Sequence, residues 1–375
     1  MIYEVKPVAS RKDLNTFISL PLQLYKANEH YVFPLRILQD KLLDRKHNPF
    51  YRHATTQLFL LYRKNSPVGR IAAIINEDHL SRYHDETGFF GLYECINNDE
   101  ASALLFKSVE NWLKEKGMKR MAGPENLSTN EEVGFLTGGY DDKPVFLLPY
   151  NPPWYVRQAE NYGFTKLMDL FSYRFLNDES LFQKVGMVDH VRRRLESRGI
   201  LIRPINLSRF EEEVLGLQKI YNASFDDNWG FLPLSDREFL DYARNLRLIT
   251  PRELMLVAEK EGRIIGFICN VPDINQVLGK IKNGRLFPFG IFYWLLRKRW
   301  IDQVRILILG VDKEYRNQGI DLCLYGMLFQ NGSRMGIMRA EAAYIMENNT
   351  GMIRILESLG AQRVKSYRLF EKEII

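Results

Sequence analysis

Hydrophobic and polar positions along this chain switch repeatedly between a period of two and a period near 3.6, the signatures of half-buried strands and one-sided helices. The first half predicts a strand over 2–8, a polar helix near 12–22, and hairpin strands over 54–62 and 68–76 joined through Asn65-Ser66-Pro67. A strand over 88–94 leads into a helix over 99–116, with Asp99 as its cap and Gly117 as its stop. A strand over 120–123, a helix near 153–162 and a strand over 166–175 complete this half. The second half repeats the order. A strand over 201–205 and a helix near 207–224 precede strands over 253–259 and 263–270, which flank the turn Lys260-Glu261-Gly262. After an insert come a strand over 304–311, a helix over 319–335, a strand over 338–346, a helix over 350–359 and a strand over 363–371. One layout met twice predicts an α+β (mixed α/β) fold in tandem, each copy a twisted mixed sheet flanked by helices. The expected domains are 1–176 and 200–375, joined by a charged helical connector over 177–199.

Composition narrows the class without choosing a function. The 375 residues exceed one comfortable core, and 46% hydrophobic with 26% charged residues describes a globular chain. The formal charge of +6 favours anionic partners such as CoA phosphates, lipid headgroups or RNA, but no basic run is long enough for a nucleic-acid arm. Cys95, Cys269 and Cys323 are scattered and odd in number, so neither a disulfide framework nor a zinc site is expected. The six histidines fit no metal-ligand spacing either, and no Gly-x-Ser-x-Gly elbow is present. Met1 leads straight into the strand-like IYEVKPV, with no charged-then-apolar leader, so a reducing, cytoplasmic setting is the expectation.

The chemistry concentrates after the strand over 304–311. There the turn Arg316-Asn317-Gln318-Gly319 feeds a helix, and a helix start offers unpaired N–H groups and a positive dipole end, which suit phosphates. This strand, turn and helix, followed by the Asn348-Asn349 helix that closes at Leu359-Gly360-Ala361, resembles the GNAT acyltransferase superfamily. The resemblance implies tandem GNAT-like domains and an acyl-CoA or acetyl-CoA donor. Its pyrophosphate would lie on Arg316, Asn317, Gln318, Gly319, Ile320 and Asp321, and its thioester along Leu309, Gly310 and Val311. Asp321 departs from the Gly or Ala of the superfamily pattern and is expected to point away from the phosphates. Asn349 matches the superfamily's CoA-contacting Asn, or serves only as a helix cap. Leu356 stands where a proton-donating Tyr is usual. The first half has no glycine between Gly91 and Gly117, so it lacks the phosphate turn and either completes the acceptor site or supports the fold.

Replacement acid and base groups are sought nearby. A carboxylate with a raised pKa can take the proton an attacking amine must lose, making Glu341 a candidate and Glu347 its competitor. Tyr344 and Tyr367 are the candidate acids. Strict alternation along 339–346 puts Glu341 and Tyr344 on opposite faces unless a bulge intervenes. Two loops are candidates for the acceptor side: Glu125-Asn126 through Asn130, and Asn228-Trp229.

The insert joins an apolar aromatic run, 286–296, to Lys280, Lys282 and Arg285 on one side and Arg297, Lys298 and Arg299 on the other. That run is about half the ~20 residues a spanning helix needs, but rings beside cations suit peripheral contact with the inner membrane surface through 280–300. The segments NPFYRHATTQLFL, GPENLSTNEEVGFL, PYNPPWY, GRLFPFGIFYWLL and GVDKEYRNQGID resemble the two-domain bacterial ceramide synthase-like proteins along nearly the whole chain. That resemblance implies fatty acyl transfer to the amine of a sphingoid base. The alternatives are a small-amine acetyltransferase, an aminoacyl-tRNA-dependent transferase, which would need nucleic acid, and a catalytically degenerate CoA-binding module.

Overall fold

The computed structural model describes residues 2–176, 188–226 and 228–375, so positions 177–187 of the expected connector lie outside the described residues. In chain order the main elements are β1 (Tyr3–Pro7), α1 (Arg11–Leu24), β2 (Ala54–Arg63), β3 (Ser66–Asn76), β4 (Thr87–Cys95), α2 (Asp99–Glu115), β5 (Arg120–Gly123), β6 (Phe135–Gly138), α3 (Trp154–Asn161) and β7 (Thr165–Leu176). There follow α4 (Val188–Glu196), β8 (Ile200–Pro204), α5 (Phe210–Phe225), α6 (Asp236–Arg247), β9 (Met255–Lys260), β10 (Arg263–Pro272), β11 (Gln303–Val311), α7 (Ile320–Arg334), β12 (Arg339–Met346), α8 (Thr350–Ser358) and β13 (Gln362–Glu373). They form two compact units that interleave along the chain. Unit one is Met1–Leu170 with Asn275–Arg297 and Lys365–Ile375, and unit two is Phe171–Ile274 with Lys298–Val364. The expected linear boundaries are therefore crossed by the insert, by the end of β7 and by most of β13.

In unit one the strands run β1-β2-β3-β4-β5-β13, with β6 also on β13, and only β4 and β5 pair in parallel. α2 covers one sheet face because Ala101, Leu105, Val109 and Leu113 recur on one helical stripe, each with no exposed surface. Its cap is Asn98, whose side chain accepts the Ala101 N–H at 2.8 Å, and Asp99 is a first-turn residue instead of the expected cap. α1 covers the opposite face through Phe17 and Leu20, which pack with Leu60 and Ile74.

Unit two carries the end of β7 beside β12-β11-β10-β9-β8, and from β12 to β8 only β11 and β12 pair in parallel. On one face α7 buries Cys323, Leu324 and Leu328 against Leu254, Ile265 and Ile306. On the other, α5 and α6 pack Phe210, Val214 and Phe239 over Met255, Val257 and Phe267. α6 is missing from the sequence expectation, although Ser235 and Glu238 form a capping box at its start.

The insert joins unit one through hydrogen bonds to backbone carbonyls that no local pattern announces. Arg36 N–H donates to the Gly284 carbonyl at 2.8 Å, and Asn275 Nδ2 donates to the Pro144 carbonyl at 3.0 Å. Gly284 has φ +65° and sits where an added Cβ would be 2.8 Å from the Pro34 carbonyl oxygen, so only glycine fits. Beyond it, Phe287, Phe289, Phe292 and Leu295 are exposed, Phe289 by 75%.

Candidate active site

The site begins where β11 and β12 part. They pair from Gln303↔Arg339 to Ile306↔Ala342 and no further, although β11 runs on to Val311 and β12 to Met346. On its other edge β11 slips register against β10 between Cys269↔Ile308 and Asn270↔Ile306, which leaves Leu307 as the extra residue of a bulge. The bulge inverts the side-chain phase: Ile306 packs with the α7 cluster, whereas Ile308 packs with α5 and α6. From Leu307 to Val311, alternate backbone groups thus face the gap between the diverging strands. Gly310 lets the chain pass close to α5. A Cβ there would lie 3.0 Å from a Phe267 ring carbon and 3.3 Å from Ser224 Oγ, a buried hydroxyl with no hydrogen-bond partner among the described residues.

In the turn that follows, Arg316 and Asn317 are exposed and Gly319 is half-buried beside α4. Asp312 caps a short helical turn, Lys313–Tyr315, and Arg316 Nε donates to the Val311 carbonyl at 3.2 Å. Asn317 has φ +60° and Gly319 φ +87°. Gly319 is the N-cap of α7, and no side chain caps that helix. The first-turn N–H groups of α7 are therefore left unclaimed by any cap, at the positive end of the dipole. Arg194, on α4, donates to the Gln318 carbonyl at 3.2 Å and brings a second guanidinium to the turn. Sequence reasoning missed Arg194 because it lies on the connector, 124 residues from its partner. Asp321 occupies the first turn, where its charge suits the dipole, but it does not cap the helix.

The candidate acid and base residues separate into distinct settings. Glu341 has no exposed surface. Its Oε1 accepts Ser172 Oγ at 2.6 Å, and its Oε2 accepts Arg174 Nη2 at 2.7 Å, Arg174 Nε at 3.1 Å and Gln303 Nε2 at 3.1 Å. A carboxylate so engaged is a charge-paired strut tying β7 to β12. The expected alternation on β12 is corrected: Ala340, Ala342 and Ile345 all face the α7 cluster, so the phase slips between 342 and 345. Tyr344 in consequence shares a face with Arg305, the register partner of Glu341, whose guanidinium carbon lies 5.3 Å from the Tyr344 ring centre. Tyr344 and Glu347 both lie past the last β11–β12 pair and are half-buried. Tyr367 belongs to unit one, fully buried.

Residues 214–361 match the family model described as Acetyltransferase (GNAT) family. Protein YghO of Escherichia coli (strain K12) is 34% identical over 99% of this chain and 95% of its own length. The bacterial ceramide synthase of Caulobacter vibrioides is 32% identical over 99% of this chain and 97% of its own length. This chain belongs to the GNAT superfamily. A solved tandem GNAT protein from the clavulanic acid biosynthesis pathway superposes on all of this chain and 99% of its own, with a TM-score of 0.61 at 12% identity, which supports the tandem fold alone.

Within the GNAT frame, Asn349 caps α8 by accepting the Met352 N–H at 3.1 Å. Leu356 is wholly buried in the α7 cluster, so the position often held by a GNAT tyrosine is core here. The Asn228 backbone carbonyl accepts the Phe231 N–H at 3.2 Å, and Trp229 is half-buried on the turn after α5.

Unit one keeps the GNAT opening but fills it. β4 pairs with β5 only from Thr87↔Arg120 to Phe89↔Ala122 while continuing to Cys95, and it slips register against β3 between Arg70↔Glu94 and Ala72↔Gly91. Glu125 N–H donates to the Phe90 carbonyl at 2.8 Å, and Asn126 Oδ1 accepts the Leu92 N–H at 2.9 Å. Gly91 is obligatory, since a Cβ would lie 1.5 Å from the Glu125 carbonyl oxygen. Asn126 is thus a plug in this opening. The Glu125 carboxyl is buried, its Oε1 has no hydrogen-bond partner among the described residues, and burial pushes it up to about 8. Asn130 N–H donates to Ser128 Oγ at 3.3 Å within the same loop.

Proposed function

We propose that this GNAT protein is an acyl-CoA-dependent N-acyltransferase that moves a fatty acyl group to the amine of a sphingoid base or a related lipid. One observation carries the donor: the bulged, diverging end of β11 runs into an uncapped helix start. Arg316, Arg194 and the first N–H groups of α7 fit a diphosphate in charge and donor type. The freed backbone over Leu309, Gly310 and Val311 fits a polarised thioester carbonyl. In the transfer, the neutral amine attacks that carbonyl, the C–N bond forms, the C–S bond breaks, and the amine proton ends on the departing sulfur. Glu347 is the proposed proton acceptor and Tyr344 the proposed donor, because both lie beyond the end of the ladder. Asn349 is proposed to touch CoA while capping its helix, and Asn228 and Trp229, in the same unit, to serve the acceptor.

The lipid part rests on the full-length likeness to a protein named bacterial ceramide synthase and on the exposed insert. Phe287, Phe289, Phe292 and Leu295 project beside Lys282, Arg285 and Arg297, the last 5.1 Å over the Trp294 ring. Rings with flanking cations suit the headgroup zone of an anionic bilayer, so the proposed location is the cytoplasmic side of the inner membrane. Among the described residues no helix is long and apolar enough to cross a membrane. Release of CoA from palmitoyl-CoA and a sphingoid base tests the activity. Turnover confined to acetyl-CoA and small polar amines removes the lipid assignment. Co-sedimentation with phosphatidylglycerol vesicles but not phosphatidylcholine vesicles tests the insert. The buried Leu356 favours a second reading, a CoA-binding module without turnover, in which CoA binds and no amine in the panel is acylated.

A further inference from the structure

We infer that Arg305 is a positioning residue for the acyl transfer, fixing both the main chain before Tyr344 and the Tyr344 ring at the point where β11 and β12 part. The strand pattern puts it there. Val304 and Ile306 pack in the α7 cluster, so Arg305 between them points to the opposite face of the sheet. Its register partner Glu341 lies on that same opposite face, because Ala340 and Ala342 also belong to the α7 cluster. Arg305 is only 4% exposed. A buried guanidinium is costly unless its N–H groups are used. Arg305 uses them past the end of the ladder: Nε donates to the Ala343 carbonyl at 3.3 Å, and Nη2 donates to the same oxygen at 3.1 Å.

Ala343 is buried and directly follows the last pair, Ile306↔Ala342, where a continuing ladder would supply a donor from β11. Two side-chain N–H groups stand in for that backbone donor, so the strands part without stranding a buried carbonyl. The next residue is Tyr344, half-buried, with its ring centre 5.3 Å from the Arg305 guanidinium carbon, within the ~6 Å of a cation–π contact. One side chain therefore fixes where Tyr344 leaves the ladder and how its ring is turned. A phenol that gives up a proton in a transition state must be held within hydrogen-bond reach of its target. Pairing with β11 no longer does this at Tyr344, and Arg305 does. The inference rests on the acyltransferase reading with Tyr344 as its proton donor. Arg305 acts through Tyr344 and not on the substrate.

Kinetics and fluorine NMR on the full chain test it together. The substrates are palmitoyl-CoA with a sphingoid base, or acetyl-CoA with a small amine where only that pair turns over. Arg305→Met is expected to lower kcat by ~100-fold, the smaller end of what a placed acid contributes, with KM for the acyl-CoA within about threefold. Arg305→Lys keeps a cation but loses the fork, and its kcat is expected to fall by ~10-fold. Neither change is expected to lower kcat further in a Tyr344→Phe background, because both act through the same phenol. With 3-fluorotyrosine incorporated, the Tyr344 resonance is the one missing from Tyr344→Phe, and it is expected to shift in both Arg305 variants. Should Arg305→Met fail to fold, Arg305→Lys decides by the same readouts. An unchanged kcat in any folded Arg305 variant, losses that multiply with Tyr344→Phe, or an unmoved Tyr344 resonance overturns the inference. A moved resonance in a chain that binds CoA but acylates no amine keeps Arg305 as the support of Tyr344 and removes the transferase reading instead.

Discussion

The two strand-to-helix junctions, β4 to α2 and β11 to α7, are built on one plan and finished in opposite ways. Each first strand carries a bulge and outruns its parallel neighbour. In unit one the gap is stitched by Glu125 and Asn126, and α2 is capped by Asn98 with Asp99 and Glu100 in its first turn. Arg157 then neutralises that end through Asn97 and Asp99. In unit two only Arg305 is described bridging the strands past their last pair, donating to the Ala343 carbonyl, α7 starts on a left-handed glycine without a side-chain cap, and Arg316 and Arg194 lie at the turn with Asp321 in the first helical turn. One opening has therefore been converted into structure, while the helix start of its counterpart is left without a side-chain cap. The difference lies less in fold than in whether the donors at the junction are already used.

The comparison breaks most sharply at Gly319. Gly319→Glu forces a side chain into φ +87° and against Val191 at 2.9 Å, and places a negative charge among the phosphate donors. CoA affinity by calorimetry is expected to fall by ~100-fold or more, and an unchanged affinity would place the donor elsewhere. The matching change in the plugged unit, Gly91→Ala, is expected to cost about 3 kcal/mol or more in denaturant unfolding through the clash with the Glu125 backbone, with CoA affinity untouched.

Glu125→Gln sharpens the contrast through pH. The folded carboxyl holds its proton up to about 8, against 4.5 ordinarily. Between those values the folded state binds a proton the unfolded state has lost, so wild-type stability falls as pH rises through that window. The glutamine variant is expected to show a flatter profile, and identical curves would refute the buried acid. The smallest effects test the caps. Asn98→Ala and Asn349→Ala are each expected to cost ~1 kcal/mol of stability, and only the second to weaken CoA binding, by up to ~10-fold on the strength of a lost hydrogen bond.

Much of this contrast was legible before any coordinates. The glycine-poor stretch after β4, the Arg316-to-Gly319 turn and the Asn349 cap are short-range features, written by residues that lie side by side. Apolar period fixed most strands and helices for the same reason, and the Ser235-x-x-Glu238 box marking α6 was available but unread. Other features depend on groups far apart in sequence. Glu341 looked like a free base until β7 delivered Ser172 and Arg174 across 169 and 167 residues. Asn126 looked like an acceptor ligand until its carboxamide met Leu92.

The sequence by itself determined the tandem α+β layout and the strand, turn and helix that run into the uncapped start of α7, because propensity, period and turn chemistry act within a few residues. Tertiary structure alone decided which junction is plugged, where β11 bulges and parts from β12, and that the insert joins unit one. Those depend on strand register and on contacts between distant segments, where a one-residue slip reverses which side chains face the site.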